Sequence, residues 1–152
     1  MVKYLKWFFN QLFGLAEALR GLHYPASQSS EHCRHGDLKP ENILCFGTQD
    51  PGLANIPTDV RLVIADAGHA KIHEKLTELR AVPTDTQGAT MMYCPPEAEL
   101  RPKDARTRRY DIWSLGCLYL EFLIWILYGN EVLEGFGDAV GDSFYEKTAF
   151  LP

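Results

Sequence analysis

The chain has no basic excess, no paired cysteines, no long apolar run and no glycine-rich phosphate loop, and each absence narrows what it can do. Lysine and arginine number 15 against 20 aspartates and glutamates, for a formal net charge of −5. Nonspecific nucleic-acid binding rests on a basic surface, so that class is disfavoured. The four cysteines, Cys33, Cys45, Cys94 and Cys117, form no CxxC pair. Structural zinc sites use tight pairs, so reduced thiols in an intracellular, cytoplasmic or nuclear, protein are the expectation. His23, His32 and His35 lie near Cys33 and leave incidental metal binding as the lesser reading. The longest apolar stretch, Cys117–Gly129, has 13 residues and is interrupted by Glu121. A membrane-spanning helix needs about 20, so a buried helix is expected there and no membrane span. Residues 1–13 hold Lys3, Lys6 and the cluster Trp7, Phe8, Phe9, but no small-residue cleavage site follows a clean apolar run, so no secretory signal is read. No Gly-x-Gly-x-x-Gly run occurs, and there is no internal repeat.

What is present fits one globular domain. The 152 residues are 46% apolar and 23% charged, outside the range of disordered chains. Leu5, Phe8, Phe9, Leu12, Leu15, Ala16, Leu19 and Leu22 recur at helical spacing, which predicts an amphipathic helix over 4–23, ended by Gly21 and Pro25. Residues 24–34 read as a polar loop. Asn42–Phe46 and Val60–Ala65 read as strands, joined by a long hairpin loop with two Gly and two Pro. Residues 66–109 have weak periodicity and many breakers, which predicts an irregular segment with a short helical stretch near His73–Arg80. Tyr110–Tyr128 is apolar nearly all round, the pattern of a helix inside a core. The tail, 129–152, carries Gly129, Gly135, Gly137 and Gly141 and reads as loop with at most a short helix. The predicted core includes Phe8, Leu12, Leu19, Leu44, Ile64, Trp113, Leu115 and Leu118.

Chemistry concentrates in four motifs. Residues 35–44 read HGDLKPENIL. Ala65-Asp66-Ala67-Gly68 follows a predicted strand directly. Tyr93-Cys94-Pro95-Pro96-Glu97 comes next, with Thr90 three residues before it. Asp111-Ile112-Trp113-Ser114-Leu115-Gly116 opens the apolar helix. In this order the motifs resemble those of protein kinases: the catalytic loop H-R-D-L-x-x-x-N, the D-F-G turn, the A-P-E signature and the D-x-W-S-x-G helix opening. The resemblance covers roughly residues 5–130. Gly36 stands where the family has arginine, and Ala67 where it has phenylalanine.

The resemblance implies an α+β, mainly α fold, a kinase-like large lobe truncated at both ends, so that 1–152 is a single partial kinase domain. It implies ATP-dependent phosphoryl transfer to a serine or threonine hydroxyl of a protein substrate, since lysine within D-L-K-P-E-N is typical of Ser/Thr kinases. Such chemistry is mostly positioning and charge neutralisation. Asp37 would orient the attacking hydroxyl and accept its proton. Lys39 would offset charge on the γ-phosphate of ATP. Asn42 and Asp66 would supply oxygen ligands to Mg²⁺, a hard cation that takes few ligands from protein. His35, Gly68, Thr90, Glu97 and Asp111 would be structural supports, with the Asp111 carboxylate accepting hydrogen bonds from the catalytic-loop backbone.

The resemblance also marks gaps. The glycine-rich loop, the strand lysine and the helix glutamate of a complete kinase lie upstream of the catalytic loop, where this chain has 34 residues. Positioning is worth ~7–11 kcal/mol of barrier, so the chain alone is expected to be inactive or barely active. The family's arginine partner for the A-P-E glutamate lies downstream, so Glu97 is expected to find a local arginine, reach solvent or need another chain. Gly36 leaves a phosphate on Thr84 or Thr86 without its usual cationic partner. The run Arg101, Lys103, Arg106, Arg108, Arg109 is either a dock for an acidic substrate or, more simply, a solvated loop. The alternative to an enzyme is a catalytically inactive, pseudokinase-like binding or scaffold module with a protein partner over the face of the missing lobe, or an incomplete gene product.

Overall fold

The structure, a computed structural model, describes residues 2–25, 32–47, 60–66, 71–73, 91–101 and 106–148. Helix α1 (Val2–His23) leads into the short strand β1 (His32–Arg34). A 3₁₀ turn at Pro40–Asn42 opens β2 (Ile43–Phe46), and β3 (Arg61–Ile64) and β4 (Lys71–His73) follow. A second 3₁₀ turn at Met91–Tyr93 precedes the short α2 (Pro96–Leu100), and α3 (Arg109–Tyr128) and α4 (Asn130–Thr148) complete the order. The two sheets are both two-stranded and antiparallel. β2 pairs with β3 in the register Ile43↔Ile64 to Phe46↔Arg61, and β1 pairs with β4 from His32↔His73 to Arg34↔Lys71.

The fold is held by one apolar cluster between three elements. Phe8, Leu12, Leu15 and Leu19 are buried along α1 at helical spacing. Leu15, Leu19 and Leu38 meet Leu115 and Leu118 of α3, and Ile43, Leu62 and Ile64 of the hairpin pack on that cluster. Leu38 is 1% exposed, so the loop between β1 and β2 is anchored in the core by its own side chain. The polar side of α1 also serves the hairpin. Gln11 Oε1 accepts the Leu62 N–H at 3.0 Å, and Trp7 Nε1 donates to Val60 O at 3.1 Å. These bonds satisfy groups on the open edge of β3, which would otherwise be left to water or to another strand.

Several expectations change. The tail was expected to be loop-like, yet 130–148 is helical. Gly129 ends α3 at φ 84° and ψ −177°, a region open essentially to glycine, and the chain re-enters a helix at once. Glycines spaced along a helix cost propensity, but apolar Leu133 and Phe136 recur with helical period and are half-buried. Residues 32–34, expected in a loop, form β1, and His73, expected at a helix start, belongs to β4. Three-residue strands are too short to carry a period. Residues 74–80 lie outside the described residues.

Helix α3 is not buried all round. Tyr110, Asp111, Ser114, Leu115 and Leu118 are buried, whereas Ile112, Leu120, Leu127 and Tyr128 are exposed. Trp113 and Leu44, both expected in the core, are each 44% exposed. Periodicity reports which residues are apolar, not which neighbours cover them. By length and composition α3 would reach across a membrane, which is weak support for a span from a single helix. Its Asp111 and Glu121 carboxylates are instead hydrogen-bonded to other parts of the chain.

Replacing Gly129 with alanine forces a Cβ onto that backbone region. Gly129→Ala should cost about 1–3 kcal/mol, seen as a lower unfolding midpoint in urea with an unchanged slope. An unchanged midpoint would show that the α3–α4 junction relaxes freely.

Candidate active site

The loop between β1 and β2 carries most of the candidate residues, and its backbone is fixed from α3. Asp111, in the first turn of α3, is fully buried and accepts three hydrogen bonds: from His35 N–H (2.8 Å), Gly36 N–H (2.8 Å) and His23 Nε2 (2.7 Å). A buried carboxylate is tolerated only when donors surround it in this way. The third donor comes from the last turn of α1. His23 O in turn accepts from Arg108 at 2.9 Å, and the Arg108 guanidinium lies 4.4 Å from the Tyr24 ring centre. The end of α1 is thus tied twice to the start of α3. Gly36 sits at φ 86°, which glycine adopts without strain while its N–H points at Asp111.

His35 links this anchor to the second strand pair. Its Nδ1 accepts the Asp37 N–H at 3.3 Å, so Nε2 carries the proton and donates to Ala65 O at 2.9 Å. Ala65 N–H also bonds Asn42 O at 2.8 Å, which extends the β2–β3 ladder by one step and places Asp66 immediately beyond it. Asp66 takes φ 55°, a left-handed conformation that aspartate tolerates better than most residues, and is exposed.

Leu38 enters the core, and the polar residues around it meet one another. Lys39 Nζ lies 3.1 Å from Asp37 Oδ2. The Asn42 side-chain amide donates to Asp37 O at 2.7 Å and to Asp37 Oδ2 at 3.2 Å. Asp37 and Asn42 are both buried, and Lys39 is half-buried. Lys39 and Asn42 therefore both contact Asp37, and Asp66 follows Ala65, the residue whose N–H bonds Asn42 O. Both hydrogens of a side-chain amide sit on its nitrogen. With that nitrogen turned to Asp37, the Asn42 amide oxygen faces away from it and is left as an acceptor.

The supporting residues divide. His35 and Asp111 sit at the centre of the arrangement described above. Glu97 is exposed at the start of α2 and lines a cleft with Arg101, Arg106 and Arg109, so it reaches solvent with arginines nearby. Gly68 and Thr90 lie outside the described residues, as do Ala67, Thr84 and Thr86. The four cysteines carry no disulfide, and among the described residues no group of histidine, cysteine and acidic side chains has metal-site geometry.

Three residues take structural roles that the sequence did not assign to them. His23 is one; its position in the last turn of α1 gave no hint of a partner 88 residues away. Tyr93 and Glu121 are the others. The Tyr93 hydroxyl donates to both Glu121 oxygens at 2.9 and 2.8 Å, and Ser114 Oγ donates to Tyr93 O at 2.8 Å. A carboxylate interrupting an apolar helix was the available signal. Burial pushes the Glu121 carboxyl above its ordinary 4.5, the Tyr93 bond draws it back, and the charge of Glu41 pushes it up again. Burial, then the bond to Glu121, raise the Tyr93 hydroxyl well above the usual phenol range.

With this geometry in view, comparison with known proteins is specific. The family model of the protein kinase domain matches residues 11–134. Cyclin-dependent kinase 8 of Caenorhabditis elegans is 34% identical over 109 residues, covering 72% of this chain and 17% of that protein. Glycogen synthase kinase-3 homolog YGK3 of Saccharomyces cerevisiae is 36% identical over 111 residues, covering 73% and 24%. Human serine/threonine-protein kinase/endoribonuclease IRE2 is 31% identical over 140 residues, covering 90% and 13%. The chain belongs to the protein kinase family, and it spans 13% to 24% of the length of these three relatives.

Two measurements follow. Asp111→Asn replaces one acceptor oxygen with an amide and sets a donor against the loop backbone; the expected loss is about 2–3 kcal/mol of unfolding free energy, read from urea denaturation. A loss under about 0.5 kcal/mol, the range of ordinary surface changes, would remove Asp111 as the anchor. The second concerns pH. Folded Glu121 holds its proton to higher pH than the unfolded chain does. Its contribution is therefore most favourable at low pH and is lost as pH rises through the unfolded value of 4.5 towards the folded one. Glu121→Gln removes that loss, so its stability relative to the parent should improve as pH rises through and above 4.5. A pH-independent difference would contradict the assignment.

Proposed function

We propose that this chain is part of a protein kinase large lobe, a single partial domain supplying residues that transfer the γ-phosphoryl of ATP to a serine or threonine hydroxyl of a protein. The observation that carries this reading is the contact of Lys39 and Asn42 with Asp37, with Asp66 one residue beyond the Asn42–Ala65 bond. Asp37 is suited to orient an incoming hydroxyl and take its proton on a carboxylate oxygen. Lys39, beside that carboxylate, is suited to contact the transferring phosphate. The Asn42 amide oxygen and the Asp66 carboxylate are hard oxygen donors, the type Mg²⁺ prefers, and Mg²⁺ commonly takes only one or two from protein. Bound Mg²⁺ would supply charge neutralisation on the phosphates. His35 and Asp111 act through the loop backbone and position Asp37. The name of the human relative, serine/threonine-protein kinase/endoribonuclease IRE2, supports the Ser/Thr class. The unbridged cysteines suit a cytoplasmic or nuclear setting.

A second reading is favoured by the exposed apolar surface beside the site. Leu44 and Phe46 on β2 are 44% and 55% exposed. Apolar surface of this kind marks binding faces when it is contiguous. On this reading the chain is a pseudokinase-like module, with a protein partner covering that face. Titration with ATP and Mg²⁺ separates the two: micromolar affinity supports the enzyme, and millimolar or no affinity supports the module. Any transfer of radiolabelled phosphate to a Ser/Thr peptide should fall by about 100-fold or more in Asp37→Asn. Equal incorporation by both proteins would take Asp37 out of the reaction.

A further inference from the structure

A cleft of about 640 Å³ lies between the last turns of α1 and the first turns of α3. Leu19, Ile112 and Leu115 contribute apolar surface to it, and Arg20, Arg108 and Arg109 supply three cations. No aspartate or glutamate lines it among the described residues. Arg108 is held by His23 O and Tyr24, so its guanidinium is fixed in place. Arg20 and Arg109 are exposed, and among the described residues neither side chain has an ion pair or hydrogen bond. A smaller cleft of about 220 Å³ shares Thr107 and Arg109 with the first and adds Arg101 and Arg106, with Glu97 as its one carboxylate among the described residues. The chain as a whole carries −5, so positive charge gathered around an apolar floor is a local departure from the rest of the molecule.

We propose that the larger cleft docks an acidic, amphipathic segment of a protein partner. Two physical requirements select this occupant. The leucine and isoleucine floor gains from apolar anchors at helical spacing, the pattern by which peptides fill grooves between helices. The arginine rim gains from carboxylates on the opposite side of the same segment, and guanidinium groups bind carboxylates in a two-pronged geometry. A basic segment would be repelled, and a purely apolar one would leave the cations without partners. The cleft sits behind the loop anchor, against His23 itself, so an occupant would rest on the α1–α3 junction that carries Asp111.

The test uses a short fluorescein-labelled peptide with glutamates on one helical face and leucines on the other, read by fluorescence anisotropy against the full chain. Three control probes are the same peptide with lysine for glutamate, the same peptide with alanine for leucine, and inorganic phosphate as competitor. The proposal expects binding by the Glu/Leu peptide alone, weakening as salt rises. It expects little competition from phosphate and a loss of about tenfold or more in Arg20→Glu and in Arg109→Glu. Both positions are exposed, and a glutamate at 109 suits a helix N-terminus, so the fold should survive; circular dichroism checks this. Absence of binding at low salt, equal binding of the alanine peptide, or unchanged affinity in both variants would overturn it. So would a homodimer in light scattering that Arg20→Glu and Arg109→Glu dissociate, since a second copy would then be the occupant.

Discussion

Hydrogen bonds to one buried carboxylate hold the site in shape. Asp111 has no exposure to solvent and can remain there only because donors replace its water. Two of those donors are consecutive backbone N–H groups of the loop, and the third is a histidine at the end of α1. A charge removed from water binds its donors more strongly than the same charge at the surface, because little solvent competes. The carboxylate therefore fixes two peptide units and one helix end together. Every residue from 35 to 42 takes its position from that fixed start and from Leu38, whose side chain enters the core two residues beyond Gly36.

The other half of the site is set by strand register. Once β2 and β3 pair through Ile43↔Ile64, Asn42 and Ala65 come opposite each other, and their backbone bond follows. Slipping this pairing by one residue would turn Ile43 and Ile64 out of the core, so the apolar cluster guards the register. His35 closes the circuit, because one ring nitrogen takes the Asp37 N–H and the other reaches Ala65 O. Loop and hairpin are consequently positioned against each other by the same imidazole. This is a structural role for the histidine of the H-x-D motif that needs no contact with a substrate.

Much of this was legible before the fold was known, for reasons that differ by residue. Leu12, Leu15 and Leu19 repeat at helical period, so α1 and its inner face could be read directly. Asp37, Asn42 and Asp111 were legible because their types and spacing form motifs. The Asn42–Asp37 bond pattern was not legible, since spacing gives proximity but not which amide atom turns inward. His23 was missed because its partner is distant in sequence and a lone histidine after Leu22 has no pattern. Leu44 and Trp113 were misjudged for the converse reason. Their apolarity is a property of the residue, whereas burial needs a neighbour, and in the described fold the neighbours of α1, β2 and α3 lie on their other sides. The helix at 130–148 was hidden by glycines whose propensity cost is overridden by the helix lying against α3.

Gly36 shows how the pieces depend on one another. An arginine at that place in the loop would bring a long cation near the Asp111 anchor. With glycine, the residue contributes only its backbone, a left-handed φ and one N–H to Asp111 Oδ1. Among the described residues the loop draws its rigidity from the Asp111 carboxylate, the His35 ring, the Leu38 side chain and the Asn42 amide that bonds Asp37. Each of these is a contact within the chain itself. A loop built this way is set in its shape by folding itself, and the Asp37–Lys39–Asn42 arrangement is present before any substrate arrives.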